Sequence, residues 1–264
     1  MIARQPVGEH LRRWRERRRL SQLDLALQAE VSTRHLSFVE TGRASPSREM
    51  VLRLAEHLEV PLRERNALLV SAGYAPVYAE TPLDAPAMDA IRAALRQVLA
   101  GHEPYPAMVV DRHWNLLEAN RPVGLLTSGI APELLETPVN VLRASLHPRG
   151  LAPRIANLGE WRGHLLDRLR RQVTLTADAQ LAALYEELRG YPGEPPATVL
   201  PEQAVVAPLR LRLDGGGELA LFSMVASIGT PLDITVSELA IESFFPADAA
   251  SASVFDTWLK GHLS

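Results

Sequence analysis

The chain has 264 residues, 28 basic and 31 acidic side chains (net charge −3), an apolar fraction of 47% and no cysteine. That length supports two domains with cores of their own. The absence of cysteine excludes disulfides and thiolate metal sites, and no apolar run reaches the length of a membrane span.

The N-terminus, MIARQPVGEHLRRW, has no signal-peptide core, so a cytoplasmic location is expected. Charge is unevenly placed. Residues 1–48 hold ten arginines and five acids, a net of +5, which leaves −8 on the other 216 residues. A basic head on an acidic body points to contact between the head and nucleic acid.

The first predicted helix covers 7–19, with Val7, Leu11 and Trp14 at helical spacing. Its arginines, Arg12, Arg13 and Arg17 among them, serve either a solvated face or phosphate contacts that add affinity without sequence preference. Ser21 to Gly42 then reads as two short helices and a tight turn. Ser21 caps the first, and Asp24 completes an acidic capping box. Leu23, Ala26 and Leu27 are expected on its apolar face. Val31 closes the turn, Ser32 caps the second helix, Leu36 and Val39 point inward, and Gly42 ends it. Thr33, Arg34, Ser37 and Phe38 lie on its other face. Polar groups at the start of such a helix suit the edges of DNA bases. Ser47 caps a fourth helix to Leu58, and a fifth runs from Arg63 to Ala72.

The segment resembles the helix-turn-helix of the XRE (Cro/C1-type) family. Ser21-Gln22, Leu25-Ala26, Val31-Ser32, Leu36-Ser37, Glu40, Gly42-Arg43 and Pro46-Ser47 carry the likeness. It implies a five-helix, lambda-repressor-like DNA-binding domain over 1–75. By the same resemblance Gln22 lies near a phosphate and a base, and Thr33, Arg34 and Phe38 stand where the family reads bases. Ser32, Ser37 and Arg43 stand where it touches the backbone or flanking bases. Arg34 has the fork that guanine O6 and N7 accept. Phe38 departs from the polar residue common there and suits only a thymine methyl or packing. Glu40 is expected to be structural, since phosphates repel a carboxylate.

A proline-rich linker follows, then an amphipathic helix over 87–100 with Met88, Ile91, Leu95, Val98 and Leu99 inward. Together they form a connecting region, 76–104. This helix either signals and dimerises or merely packs on the next domain. From 107 the pattern turns extended. Two short strands flank Asp111-Arg112-His113, and a new element runs from Asn120 to Leu126. Helices cover 160–172 and 178–189, then comes the Pro/Gly-rich stretch YPGEPPATVLP. Three more extended segments end in Leu209–Leu213, Glu218–Ile228 and Ile234–Phe245, with Asp214-Gly-Gly-Gly as a turn. A closing helix at 252–262 presents Val254, Trp258 and Leu259. Two antiparallel hairpins around a helical insertion predict a five-stranded sheet covered by helices, hence an α+β chain overall.

Residues 105–264 resemble the ligand-binding domain of MmyB-like transcription regulators, which has a PAS-like fold. The carrying residues include Val109-Val110-Asp111-Arg112-His113-Trp114, Leu146-His147-Pro148, Gly229-Thr-Pro-Leu-Asp233 and Glu238 to Pro246. The resemblance implies a one-component regulator whose second half holds a small apolar ligand, a fatty-acid-like molecule being one candidate. Trp114, Phe222, Met224 and Phe244 are expected on strands, either lining an apolar pocket or forming plain core. Asp233 and His147 are expected to hold backbone rather than ligand. No nucleophile elbow, zinc-protease motif or P-loop is present. The chain is therefore expected to be no enzyme and to need no cofactor or metal. Its expected partners are an operator duplex, a small apolar ligand and, because one small head covers half a turn of DNA, a second copy of itself. The alternative is a DNA-binding repressor whose second half only dimerises.

Overall fold

A computed structural model describes residues 6–193, 207–213 and 215–262. Most of YPGEPPATVLP, and Asp214 of the predicted turn, lie outside them. Helices α1 (Val7–Arg17), α2 (Gln22–Gln28), α3 (Thr33–Glu40), α4 (Arg48–His57) and α5 (Leu62–Ser71) come first. Then follow α6 (Asp89–Gly101), β1 (Ala107–Val110), β2 (Leu116–Ala119), α7 (Val123–Thr127), α8 (Val141–Leu146), α9 (Leu158–Thr176) and α10 (Ala179–Arg189). The chain closes with β3 (Leu209–Arg212), β4 (Glu218–Ser227), α11 (Ile234–Ser237), β5 (Ala240–Pro246) and α12 (Ala249–His262). Two compact units result: Met1–Thr81 with Thr230–Ser237, and Pro82–Gly229 with Glu238–Ser264.

In the first unit the five helices enclose Leu11, Trp14, Leu25, Leu36, Val51 and Leu54. One expectation is corrected. Leu25, Ala26 and Ala29 form the inward arc of α2, while Leu23 and Leu27 are exposed, Leu27 by 70%. The arc is set by the tight turn after α2, where Val31 N–H donates to Ala26 O at 2.9 Å. Gly8 lets α1 approach the end of α3 closely. A Cβ there would stand 2.1 Å from the Val39 carbonyl oxygen, so any side chain would push the helices apart.

Thr230–Ser237 belongs to this unit through a carboxylate, a backbone hydrogen bond and packing on α5. Asp233 Oδ2 accepts from the Thr81 amide at 3.1 Å and its hydroxyl at 2.7 Å. The Ile234 amide donates to Ala79 O at 2.8 Å. Asp233 thus holds backbone, as expected. Residues 234–237, predicted as the start of a strand, form a helical turn instead, and the strand begins at Ala240. Asp233 Oδ1 accepts from Val236 N–H, which favours a turn over an extended chain.

The second unit is an open antiparallel sheet in the order β2-β1-β5-β4-β3. Alternation gives it two faces. Met108, Val110, Phe244, Leu219 and Leu221 point into the larger core with α7 to α10 and α12. Ala107, Val109 and Ile241 point the other way and pack on Leu95 and Leu99 of α6. The helix of the expected connecting region is therefore a cover of this sheet. Val98, predicted inward, is 49% exposed. Asn120 ties α6 to the sheet: its amide donates to Leu99 O and Tyr105 O and its oxygen accepts from Ala107 N–H. Among the described side chains of α12, Ser251 and Phe255 are buried and Val254 packs only in part; the side chain of Leu259 lies outside them. The Ser251 hydroxyl, one turn before Phe255, accepts from the β4 amide of Ala220 and fixes that rotation.

Candidate nucleic-acid interface and ligand cavity

The capping signals place α2 and α3 as read. Ser21 Oγ accepts from Asp24 N–H at 3.1 Å, and Asp24 Oδ2 accepts from Ser21 N–H at 3.0 Å. Ser32 Oγ accepts from His35 N–H at 3.1 Å. The left-handed residue of the turn is Glu30, at φ 53°, and Gly42, at φ 72°, ends α3. Leu36, Val39 and Glu40 face inward, which leaves Thr33, Arg34, Ser37 and Phe38 on the outer side.

Arg34 is exposed and makes no hydrogen bond or ion pair among the described residues; its guanidinium lies 5.4 Å from the centre of the Phe38 ring. Phe38, partly buried, supports Arg34 from below, a job open to an aromatic ring but closed to the usual polar residue. Arg12 and Arg13 differ from Arg34, since each pairs with a glutamate on α1, Glu16 and Glu9. Arg17 lies over the Trp14 ring. Ser32 and Arg43 are exposed at the two ends of α3.

Beneath this face lies a clamp that sequence reasoning found only in part. Glu40 accepts from Arg15 Nε at 2.7 Å, from Arg15 Nη2 at 2.9 Å and from the Gln22 side-chain amide at 2.8 Å. Glu40 is structural, as expected. Gln22, expected at the DNA, spends a donor on it. The signal was present: Leu36, Val39 and Glu40 share one helical arc, and a charge on a buried arc requires a partner. The hydrogen bonds to Glu40 raise the Arg15 guanidinium above its ordinary value.

The second unit holds a cavity of about 270 Å³. Its walls are Leu126 and Thr127 of α7, Leu142 and Ser145 of α8, Trp161 and Leu165 of α9, Met108 of β1, and Glu242 and Phe244 of β5, with other aliphatic side chains. The walls are apolar because each element turns its buried stripe inward. Of the four residues expected to line such a pocket, only Phe244 does. Phe222 and Met224 fall on the other phase of β4 and lie on the opposite face of the sheet. There Phe222 stacks on Phe245, 5.3 Å between ring centres, and Met224 is 58% exposed.

Trp114 is in the turn after β1, at φ 68°, and not on a strand. It lies one step behind the wall. Arg168 stacks 4.3 Å over its ring and donates to Glu242 Oε1 at 3.0 Å, while the indole N–H donates to Gln172. Glu242 was missed. In Ala240–Pro246 it shares its phase with Phe244, so strand alternation alone turns it inward. Nearby, His164 stacks on Trp161. Burial, then the charges of Arg168 and Arg171, lower it below its ordinary value.

A helix-turn-helix head and a sheet unit built around an apolar cavity define a class of protein, the DNA-binding regulators with a second domain of ligand-binding type. The comparisons with known proteins agree. The family model described as "MmyB-like transcription regulator ligand binding domain" matches residues 91–257, and "Helix-turn-helix domain" matches residues 6–68. The chain belongs to the MmyB-like family of helix-turn-helix transcription regulators. Both matched domains are regulatory. No curated protein matches the chain. The solved structure of an RNA-binding light-oxygen-voltage receptor aligns with 94% of this chain and 61% of its own length, at 13% identity and a TM-score of 0.28. A likeness that slight carries no functional inference. Among the described residues no helix is long and apolar enough to cross a membrane.

Proposed function

We propose that this regulator binds a palindromic operator as a homodimer in the cytoplasm, and that a small apolar molecule in the cavity of the second unit changes its operator affinity. The observation that carries the ligand half is the cavity itself: about 270 Å³ of space walled by aliphatic and aromatic side chains. Two other clefts of similar volume in this unit, one at Arg168 and Gln172 and one at Arg143 and Glu187, have charged and polar side chains in their walls, so it is the apolar lining that marks this one as a small-molecule site. It favours ligand binding over a second half that only dimerises.

On the DNA side Thr33, Arg34, Ser37 and Phe38 form the reading face, with Arg34 the base reader, Phe38 its support, and Ser32 and Arg43 backbone contacts. Gln22 contributes through its hold on Glu40. Dimerisation follows from scale, since one head covers half a turn of duplex and two are needed for useful specificity. Coupling is linkage: a ligand that favours one arrangement of the chain shifts the population that binds DNA.

Selection of the full chain against a randomised duplex pool is expected to enrich a motif with two-fold symmetry; enrichment of an asymmetric motif, or of none, overturns the operator reading. A titration with decanol, followed by operator affinity, tests the coupling. It is expected to shift that affinity in the native chain and to have no effect in a cavity-filling Leu126→Trp variant. Unchanged operator affinity while decanol demonstrably fills the cavity overturns it.

A further inference from the structure

Glu242 is 4% exposed, it lines the cavity, and it is the sole ionisable group among the described lining residues. One oxygen is committed, Oε1, to Arg168. The other, Oε2, makes no hydrogen bond among the described residues. Of the remaining polar side chains of the wall, Thr127 uses its O–H within its own helix, whereas Ser145 only accepts among the described residues, so the Ser145 O–H is a second group in need of a partner. The Thr127 hydroxyl is within reach of the Val123 and Gly124 carbonyls, and the Ser145 oxygen accepts from the Trp161 indole at 3.1 Å. An apolar chamber whose wall offers one carboxylate oxygen and one hydroxyl donor suits a neutral group that can both donate and accept.

Charge narrows the class further. Arg168 already balances Glu242, so a cationic head would add an uncompensated buried charge. An ionised carboxylate head would offer no donor and would meet a like charge. Resting on the proposed ligand sensing, we propose that the cavity selects an apolar molecule with a neutral hydroxyl head, which donates to Glu242 Oε2. A free fatty-acid anion is thereby disfavoured.

The test is calorimetric binding of four probes with one aliphatic body, decanol, decanoate, decylamine and decane, to the full chain at neutral pH. Decanol is expected to bind at least about tenfold tighter than decanoate or decylamine, the scale of one buried hydrogen bond made or missed. In Glu242→Gln the side chain turns an amide donor inward, and the preference for decanol over decanoate is expected to shrink at least about fivefold. Decane affinity depends on cavity shape alone, so its retention in the variant reports an intact fold; the native series can overturn the inference without any variant. Decanoate binding as tightly as decanol, or a ratio unmoved by Glu242→Gln with decane affinity kept, overturns the hydroxyl preference while leaving ligand sensing in place. Failure of all four probes to bind overturns the sensing reading and this inference with it.

Discussion

Among the described residues each unit buries one glutamate, and the two are treated differently. In the first unit Glu40 receives three hydrogen bonds, two from Arg15 and one from Gln22. In the second, Glu242 receives one, from Arg168, and its other oxygen makes none among the described residues. A buried carboxylate whose needs are all met is architecture, because it fixes α1 and α2 against α3 and presents the outer face of α3 at one angle. A buried carboxylate met on one side only, at the wall of an apolar chamber, keeps a recognition capacity in reserve. On the functions proposed above, the same residue type frames an interface in one unit and receives a ligand in the other.

Four changes would break or sharpen that contrast. The largest effect is expected from Arg15→Met, which strands Glu40 as an uncompensated buried charge. It should destabilise the head by about 3–5 kcal/mol, measured by denaturant unfolding. Arg168→Met strands Glu242 beside a cavity where another donor can reach it, so the cost should be smaller, about 1–3 kcal/mol in the same measurement. If the two losses are equal, the distinction between filled and half-filled carboxylates falls.

Arg34→Ala touches neither carboxylate. It should weaken the selected operator by about 1–3 kcal/mol and relax one base position, read by mobility shift on single-base operator variants. Stability should move by less than about 0.5 kcal/mol, as for an exposed residue. A loss equal on all sequences would make Arg34 a phosphate contact.

The smallest effect is the pH response of His164, which stacks on Trp161 of the cavity wall. His164 is held below its ordinary value of 6.5 by burial and then by Arg168 and Arg171. Above 6.5 the ring is neutral in the folded and unfolded chain alike, and its contribution is flat. As pH falls below 6.5 the unfolded chain takes up the proton first. Stability is then lost until the lowered folded value is passed. The variant His164→Gln should flatten this limb, seen as a converging difference in thermal midpoint between pH 8 and pH 5.

The head was legible because its signals are local. Ser21, Ser32, Ser47 and Gly42 bond or bend within a few residues of themselves, and all four cap or end helices as read. The sheet was legible as five strands, though not in its last connection, where Asp233 turns the chain at a point that hydropathy reads as extended. The cavity was the least legible. Choosing aromatic and thioether groups by type found Phe244 but placed Phe222 and Met224 on the wrong face, since type carries no information about strand phase. Phase would have found Glu242. The long-range partners, Arg15 for Glu40 and Arg168 for Glu242, stand 25 and 74 residues away. No spacing rule links such pairs.

The segment Thr230–Ser237 has a consequence for how such a regulator can be recombined. The chain changes unit three times, at 81, 229 and 237. A head exchanged with a relative at residue 81 would arrive without the carboxylate that Thr81 bonds. The exchange would also leave the recipient's own 230–237 facing a head it did not evolve with. A working chimera is therefore expected to carry eight residues from far downstream along with its first 81.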